Sequence, residues 1–111
     1  MDQIYYTLAE ISLNNTDTNA AIENYLLSTK NSVNNDAQKA LSFLSLANLE
    51  YANKNYIATK NMYDSTVFYM SENHRNYIES TQNQQIFTDL AHHISVVPVS
   101  YTHLTLPTSL I

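Results

Sequence analysis

The sequence predicts an all-α protein built from stacked antiparallel helical hairpins, with a C-terminal capping helix. Three observations predict this fold class: apolar residues recur at three- and four-residue steps, short links rich in Asn separate the apolar segments, and two segments match each other at a constant spacing. A chain of 111 residues accommodates one small domain with a modest core.

The first two helices are predicted over about 2–14 and 18–32. Asp17 and Thr18 can cap the second one, and the short link between the helices makes them antiparallel. Their apolar rows are Ile4, Tyr5, Leu8, Ile11 and Leu13, followed by Ala21, Ile22, Tyr25, Leu26 and Val33.

The next two helices, about 36–53 and 56–70, form a second hairpin with Asp36 as the predicted cap. Their rows are Ala40, Phe43, Leu44, Ala47 and Tyr51, followed by Thr59, Met62, Tyr63, Thr66, Val67 and Met70. A fifth helix over about 75–95 has more polar neighbours around its apolar row, which is Ile78, Ile86, Leu90 and Ile94. A helix of this kind closes an array because its outer face meets water.

The links contain no glycine, since the whole chain has none. Asn is the next best residue for the left-handed backbone that follows a helix. We therefore expect asparagines to take that conformation, at the pairs Asn14-Asn15 and Asn34-Asn35 and at Asn53 or Asn55.

The two hairpins repeat each other at one constant step along the chain, the step from Leu8 to Leu46, which is called the repeat spacing below. The matched pairs are Tyr5 with Phe43, Leu8 with Leu46, Ala9 with Ala47, Ala21 with Thr59, Tyr25 with Tyr63 and Ser28 with Thr66. Each pair shares an aromatic ring, a leucine or a small side chain, so an internal repeat is indicated. We expect Leu8 and Leu46 to occupy equivalent buried seams.

The segments "YYTLAEISLNNTDTNAAIENYLLS" and "FLSLANLEYANKNYIATKNMYDST" resemble the tetratricopeptide repeat family. The resemblance implies an α-solenoid fragment with repeats at 2–33 and 36–70, followed by a capping helix at 74–95. It also implies a concave inner surface lined by the first helix of each hairpin. The residues expected there are Tyr6, Glu10, Asn14, Leu44, Asn48 and Tyr51.

Tyr and Asn side chains suit a peptide groove, because they offer rigid apolar area and amide hydrogen bonds to an extended backbone. Ordinary solvent exposure is the alternative explanation for the same residues. Chaperone-binding relatives hold a terminal carboxylate with Lys and Arg on this surface. No basic residue lies among the six positions here, so that activity is not expected.

Two short stretches carry a narrower resemblance, the "YDST" segment and the Asn-Tyr opening of the last helix. Both resemble the repeat region of gliding-motility and type IX secretion lipoproteins of Bacteroidota. It implies a fragment of a protein-interaction scaffold, located in the periplasm at the outer membrane. The alternative is a sensor module of a cytoplasmic signalling or transcription regulator whose output domain is missing. A protein or peptide partner is expected in both cases.

The last residues differ in composition from the rest, since both prolines, Pro98 and Pro107, lie there. The string "PVSYTHLTLPT" resembles the translation of a transposase mosaic end and its sequencing adapter. This implies that 98–111 is a non-native tail. An edge strand is the alternative, although it would have no partner strand.

Composition argues against several function classes. The formal charge is -5 and the five basic residues are scattered, so nucleic acid is not an expected partner. No apolar stretch approaches the roughly 20 residues that span a bilayer. Without cysteine there is no thiol nucleophile or zinc-thiolate site.

The remaining titratable residues do not suggest catalysis. His92 and His93 are adjacent, so on a helix they point in different directions and do not share a metal as residues at i and i+4 do. Glu72, His74 and Glu79 surround a turn, where caps and solvated residues are common. We expect no catalytic, cofactor-binding or metal-binding residue, and no enzymatic activity.

Overall fold

The computed structural model describes residues 2–96, and within them the fold is all-α, with five helices and no strand. The helices are α1 (Asp2–Asn14), α2 (Thr18–Asn31), α3 (Asp36–Ala52), α4 (Tyr56–Tyr69) and α5 (Tyr77–Val96). The five predicted helices are confirmed, with α5 beginning two residues later than expected. The predicted tail at 98–111 lies outside the described residues.

The helices pack as pairs that are joined to each other. The closest pairs are α1 with α2 and α3 with α4, each connected by a three-residue link. The pairs meet where α2 packs on α3, here called the first junction, and α4 packs on α5 at the second junction. In addition, α1 touches α3, so the first helices of the two pairs are neighbours.

Side-chain caps fix where three helices begin. The carboxylate of Asp17 accepts a hydrogen bond from the Ala20 amide at 3.1 Å, as predicted for α2. Asn55 caps α4 in the same way. The expected cap of α3 was wrong, because Asn35 rather than Asp36 accepts from the backbone of the first turn. Asp36 is the first helical residue. Its negative charge lies at the positive end of the helix dipole, which stabilises α3.

The turns inside the two pairs have the same hydrogen bonds, one repeat spacing apart. The Asp17 amide donates to the Ser12 carbonyl at 2.8 Å, and the Thr16 amide donates to the Leu13 carbonyl at 2.9 Å. The counterparts are Asn55 to Glu50 and Lys54 to Tyr51, both at 2.9 Å. This six-to-one and five-to-two pattern is the Schellman motif that commonly ends a helix.

The left-handed residues of the links between helices agree with the expectation at one position and differ from it at two. Asn34 has a φ of 58° as predicted, but the other two positions are Thr16 at 59° and Lys54 at 61° rather than asparagines. The hydrogen bonds of the Schellman motif determine which position turns left-handed, whatever residue stands there. A β-branched residue such as Thr16 is strained in this conformation.

The core consists of two clusters, one at each junction. The first contains Ala9, Ala21, Tyr25 and Leu46. The second contains Ala47, Tyr63 and Phe87. Ala47 and Tyr63 stand one repeat spacing after Ala9 and Tyr25, so the same small residue and the same ring are used twice. Alanine lets the helices approach closely, and the ring fills the space beside it.

Leu8 does not occupy a seam equivalent to that of Leu46, and this prediction was wrong. Leu46 is 1% exposed, whereas Leu8 is 42% exposed beside the equally open Ile4 and Ile11. The physical reason is the position of α1 at one end of the stack. This face of α1 has no described helix against it, while the matching face of α3 packs on α1 and α2.

The predicted apolar row of α5 was wrong at its three isoleucines and right at Leu90, which packs on the second cluster. Ile78, Ile86 and Ile94 are exposed, and the buried face instead carries Ser80 and Phe87, with Leu90 partly buried. The ring of Phe87 packs on Ala47 and Tyr63 at the second junction. The isoleucines therefore lie on faces of α5 that α4 does not cover.

Candidate protein-binding surface

The six residues expected on the inner surface lie on the neighbouring helices α1 and α3. These residues, here called the inner surface, are Tyr6, Glu10, Asn14, Leu44, Asn48 and Tyr51. Four of them are open to solvent, and the other two are half-buried. The set therefore has a packed part and an accessible part.

Tyr6 and Leu44 form the packed part. Tyr6 meets the ring of Tyr25 edge-on, with 5.3 Å between ring centroids, and packs against the first core cluster. Leu44 packs against the second cluster in the same manner. Both residues contribute to stability first and offer only part of their surface to a partner.

Tyr51 is the largest accessible group of the inner surface, with 56% of its area exposed. Its ring meets Phe87 edge-on at 5.6 Å and lies 6.0 Å from the ring of Tyr56. These neighbours restrict the ring while leaving much of it uncovered. A ring that is already held loses little side-chain entropy when it binds.

The polar residues Glu10, Asn14 and Asn48 belong to the accessible part together with this ring. Within residues 2–96, the side-chain amides of Asn14 and Asn48 make no hydrogen bond to another described residue, and both residues are exposed to a partner's backbone. Glu10 is the one charged residue of the set. A partner with a basic or neutral segment therefore fits better than an acidic one.

The structure adds two aromatic residues that sequence reasoning did not place beside Tyr51. Phe87 stacks on Tyr63 at 5.7 Å with an interplanar angle of 9°, and Tyr56 stacks on Phe87 at 6.4 Å. A signal for Phe87 was present, because it stands one repeat spacing after Leu49, which packs on the first cluster. Extending the repeat into α5 would have found it.

The two buried tyrosines hold the junctions through their hydroxyl groups. Ser45 hydrogen-bonds Tyr25, and the amide of Asn83 donates to the Tyr63 hydroxyl at 3.2 Å. Burial raises the pKa of both tyrosines above the usual 10.0, and these hydrogen bonds offset the rise in part. Ser45 and Asn83 are again separated by the repeat spacing, so α5 follows the register of α3.

A second aromatic group lies around the end of α4. Tyr69 stacks on Phe43 with 5.9 Å between centroids, and Phe68 meets Tyr69 edge-on at 4.9 Å. The ammonium of Lys39 lies 4.6 Å from the centre of the Tyr69 ring, within cation-π distance. Phe68 is 79% exposed.

The titratable residues near α5 lie in the turn before it and along the helix itself. His74 caps the turn before α5, because its Nδ1 accepts a hydrogen bond from the Asn76 amide at 3.0 Å. His92 and His93 are both exposed. Across residues 2–96, no group of three or more His, Asp or Glu side chains is arranged to hold a metal ion.

Comparison with protein-family models, with curated proteins and with solved structures finds no match to this chain. None of the helices within 2–96 combines the length and apolarity that crossing a membrane requires. Within residues 2–96, the structure offers packed helical pairs with an accessible aromatic and amide surface on α1 and α3.

Proposed function

We propose that this chain is a protein-interaction scaffold of the tetratricopeptide type, which acts by binding rather than by catalysis. The observation that carries the proposal is the exposed ring of Tyr51, held against Phe87 and Tyr56 on the surface that also carries Asn48. The ligand is an extended peptide segment of a protein partner. Its apolar side chain packs on Tyr51, and its backbone bonds the amides of Asn14 and Asn48.

A displayed library of random peptides, selected on the immobilised chain, tests this proposal. Binding of the enriched peptides should weaken by about 2 kcal/mol, or roughly thirtyfold, in Tyr51→Ala, because a held aromatic ring is a typical hot spot. Asn48→Ala should weaken binding by a smaller factor. Phe68→Ala is the matched control, since it removes an exposed ring from the other aromatic group and should leave affinity unchanged.

Two results contradict the proposal. One is the failure of any peptide family to enrich on the chain. The other is enriched peptides that bind the Tyr51→Ala and Asn48→Ala variants as tightly as the original chain. Circular dichroism of each variant shows whether a loss of binding reflects a loss of fold.

The narrower resemblance supports a place in the gliding-motility and type IX secretion apparatus, which puts the scaffold in the periplasm at the outer membrane. The complete gene in its source genome tests this placement. A lipoprotein signal with a lipid-attachment cysteine upstream agrees with it. A kinase or DNA-binding domain downstream contradicts it and favours a cytoplasmic sensor.

A further inference from the structure

The outer face of α1 carries an apolar row that the described helices leave open. This face, named the α1 end face, consists of Ile4, Thr7, Leu8 and Ile11. Ile4 is 56% exposed, Leu8 42% and Ile11 49%. A depression of about 300 Å³ lies on the same face and is lined by Gln3, Ile4, Thr7 and Leu8.

The same four positions of α3 are covered by the first pair of helices. One repeat spacing later, they are Ser42, Ser45, Leu46 and Leu49. Leu46 enters the notch between Ala9, Ala21 and Tyr25, and Leu49 packs beside it. Ser45 hydrogen-bonds the hydroxyl of Tyr25.

These positions are covered a second time in α5, after a further repeat spacing. They are Ser80, Asn83, Gln84 and Phe87. Phe87 packs on Ala47 and Tyr63, and Asn83 donates to the Tyr63 hydroxyl. The equivalent faces of α3 and α5 are therefore covered in the same way. In both cases the cover is a helical pair that supplies a notch of small residues and a tyrosine hydroxyl.

We propose that the α1 end face is the docking site of another helical hairpin of this same repeat. Leu8 enters a notch formed by two small residues, and Ile11 packs beside it, as Leu46 and Leu49 do at the first junction. The hydroxyl of Thr7 bonds the hydroxyl of the hairpin's tyrosine, in the place of Ser45. The end face thus continues an interface that the molecule already uses.

The described part of a second copy does not supply such a hairpin. The position of Ala9 and Ala47 is Gln85 in α5, where the side chain is exposed and donates to Asp89 at 2.9 Å. A notch needs a small residue at that position. This docking site is separate from the inner surface, so the inference does not depend on peptide binding there.

An extended chain tests the proposal, made by placing a copy of residues 1–38 directly before Met1 of the full chain. The copy keeps the repeat spacing and presents the copied Ala9, Ala21 and Tyr25 to the end face. We expect the extended chain to unfold at a higher urea concentration. Leu8→Ala in the original segment should then lower the midpoint as much as Leu46→Ala does in the unextended chain.

Three control variants make the outcome specific. In the unextended chain, Leu8→Ala should shift the midpoint little, because the side chain is already exposed. Ile86→Ala, at an exposed apolar residue of α5, should have the same small effect in both chains. Ala21→Leu in the copy fills the notch and should remove the gain in midpoint.

Three outcomes overturn the proposal. The first is an extended chain that gains no stability or does not unfold cooperatively. The second is a rise in the urea midpoint that persists when Ala21→Leu is introduced in the copy, with Leu8→Ala lowering the midpoint no more than it does in the unextended chain. The third is a concentration-dependent dimer of the unextended chain, seen by sedimentation and abolished by Leu8→Glu, which would identify a second copy as the occupant.

Discussion

The two junctions of this chain use one register and two kinds of filling. At the first junction a leucine enters a notch of two alanines and a tyrosine, and Leu46 is 1% exposed. At the second, the ring of Phe87 lies among Tyr51, Tyr56 and Tyr63. What stays constant is the small residue on the first helix and the tyrosine hydroxyl that bonds the next one. The repeat therefore keeps the contacts that set the register of the helices, while the side chain that fills the space between them varies.

The polar contacts of the junctions differ as well. Ser28 and Ser42 meet at 2.9 Å, both fully buried, at the first junction. At the second, the position of Leu46 is Gln84, which donates to the carboxylate of Asp64 at 3.0 Å. Asp64 also pairs with Lys60 at 2.8 Å on the surface of α4. At this one position the second junction is more exposed, because the half-buried amide of Gln84 replaces the buried leucine.

The largest expected effects come from emptying either junction. Phe87→Ala and Leu46→Ala should each reduce the free energy of unfolding by about 3 kcal/mol, since truncation of a buried large side chain leaves a cavity. Urea denaturation followed by circular dichroism measures both. Equal losses at the two sites would mean that the two junctions contribute equally to the free energy of unfolding. A negligible loss for Leu46→Ala would contradict the packing at the first junction.

A leucine-to-phenylalanine exchange sharpens the comparison of the two fillings. Leu46→Phe should destabilise by roughly 1–3 kcal/mol, because two alanines and a tyrosine leave no room for a ring. Phe87→Leu should cost less than Phe87→Ala, since a leucine refills part of the space. Unfolding midpoints that rise in Leu46→Phe would show that the first notch is larger than its contacts indicate.

The turns inside the two pairs offer a gain of stability. Thr16→Gly should stabilise by about 0.5–1 kcal/mol, because relief of the strain of a β-branched residue at positive φ exceeds the entropy that glycine adds to the unfolded chain. Lys54→Gly should give a smaller gain, since lysine is unbranched at Cβ. Thermal unfolding of the two variants compares them directly, and a loss in both would contradict the strain argument.

Alkaline pH should act on both junctions through their tyrosines. Because burial raises the pKa of Tyr25 and Tyr63 in the folded state, their contribution is complete below the unfolded value of about 10. It decreases as the pH rises from there through the raised folded values, since the unfolded chain then releases its protons first. Urea midpoints between pH 8 and 11 measure this decrease, and Tyr25→Phe or Tyr63→Phe should reduce it.

The sequence predicted where helices lie better than which face of each is covered. Periodic apolar residues and caps such as Asp17 are local features, so the five helices could be found to within about two residues. Ile4 and Ile78 lie in rows that resemble buried ones, yet both are exposed. Coverage depends on the neighbouring helix, which a local period does not contain.

The candidate surface was predictable only in part for the same reason. The repeat spacing placed Tyr6 and Leu44 on matching positions, and the structure shows both half-buried against their clusters. The role of Phe87 as the neighbour of Tyr51 required the repeat to be followed into α5. The left-handed backbone at Thr16 and Lys54 could not be read from residue type, because hydrogen bonding selects that position.

The start of α1 is tied to its surroundings through one residue. The backbone carbonyl of Asp2 accepts a hydrogen bond from the Ser28 hydroxyl at 2.8 Å, and its carboxylate accepts one from the Asn35 amide at 3.2 Å. A fluorophore or surface linker attached near Asp2 therefore starts from a point that these two hydrogen bonds hold in place. Distances measured from such a label to other parts of an assembly would be broadened little by fraying of the first helical turn.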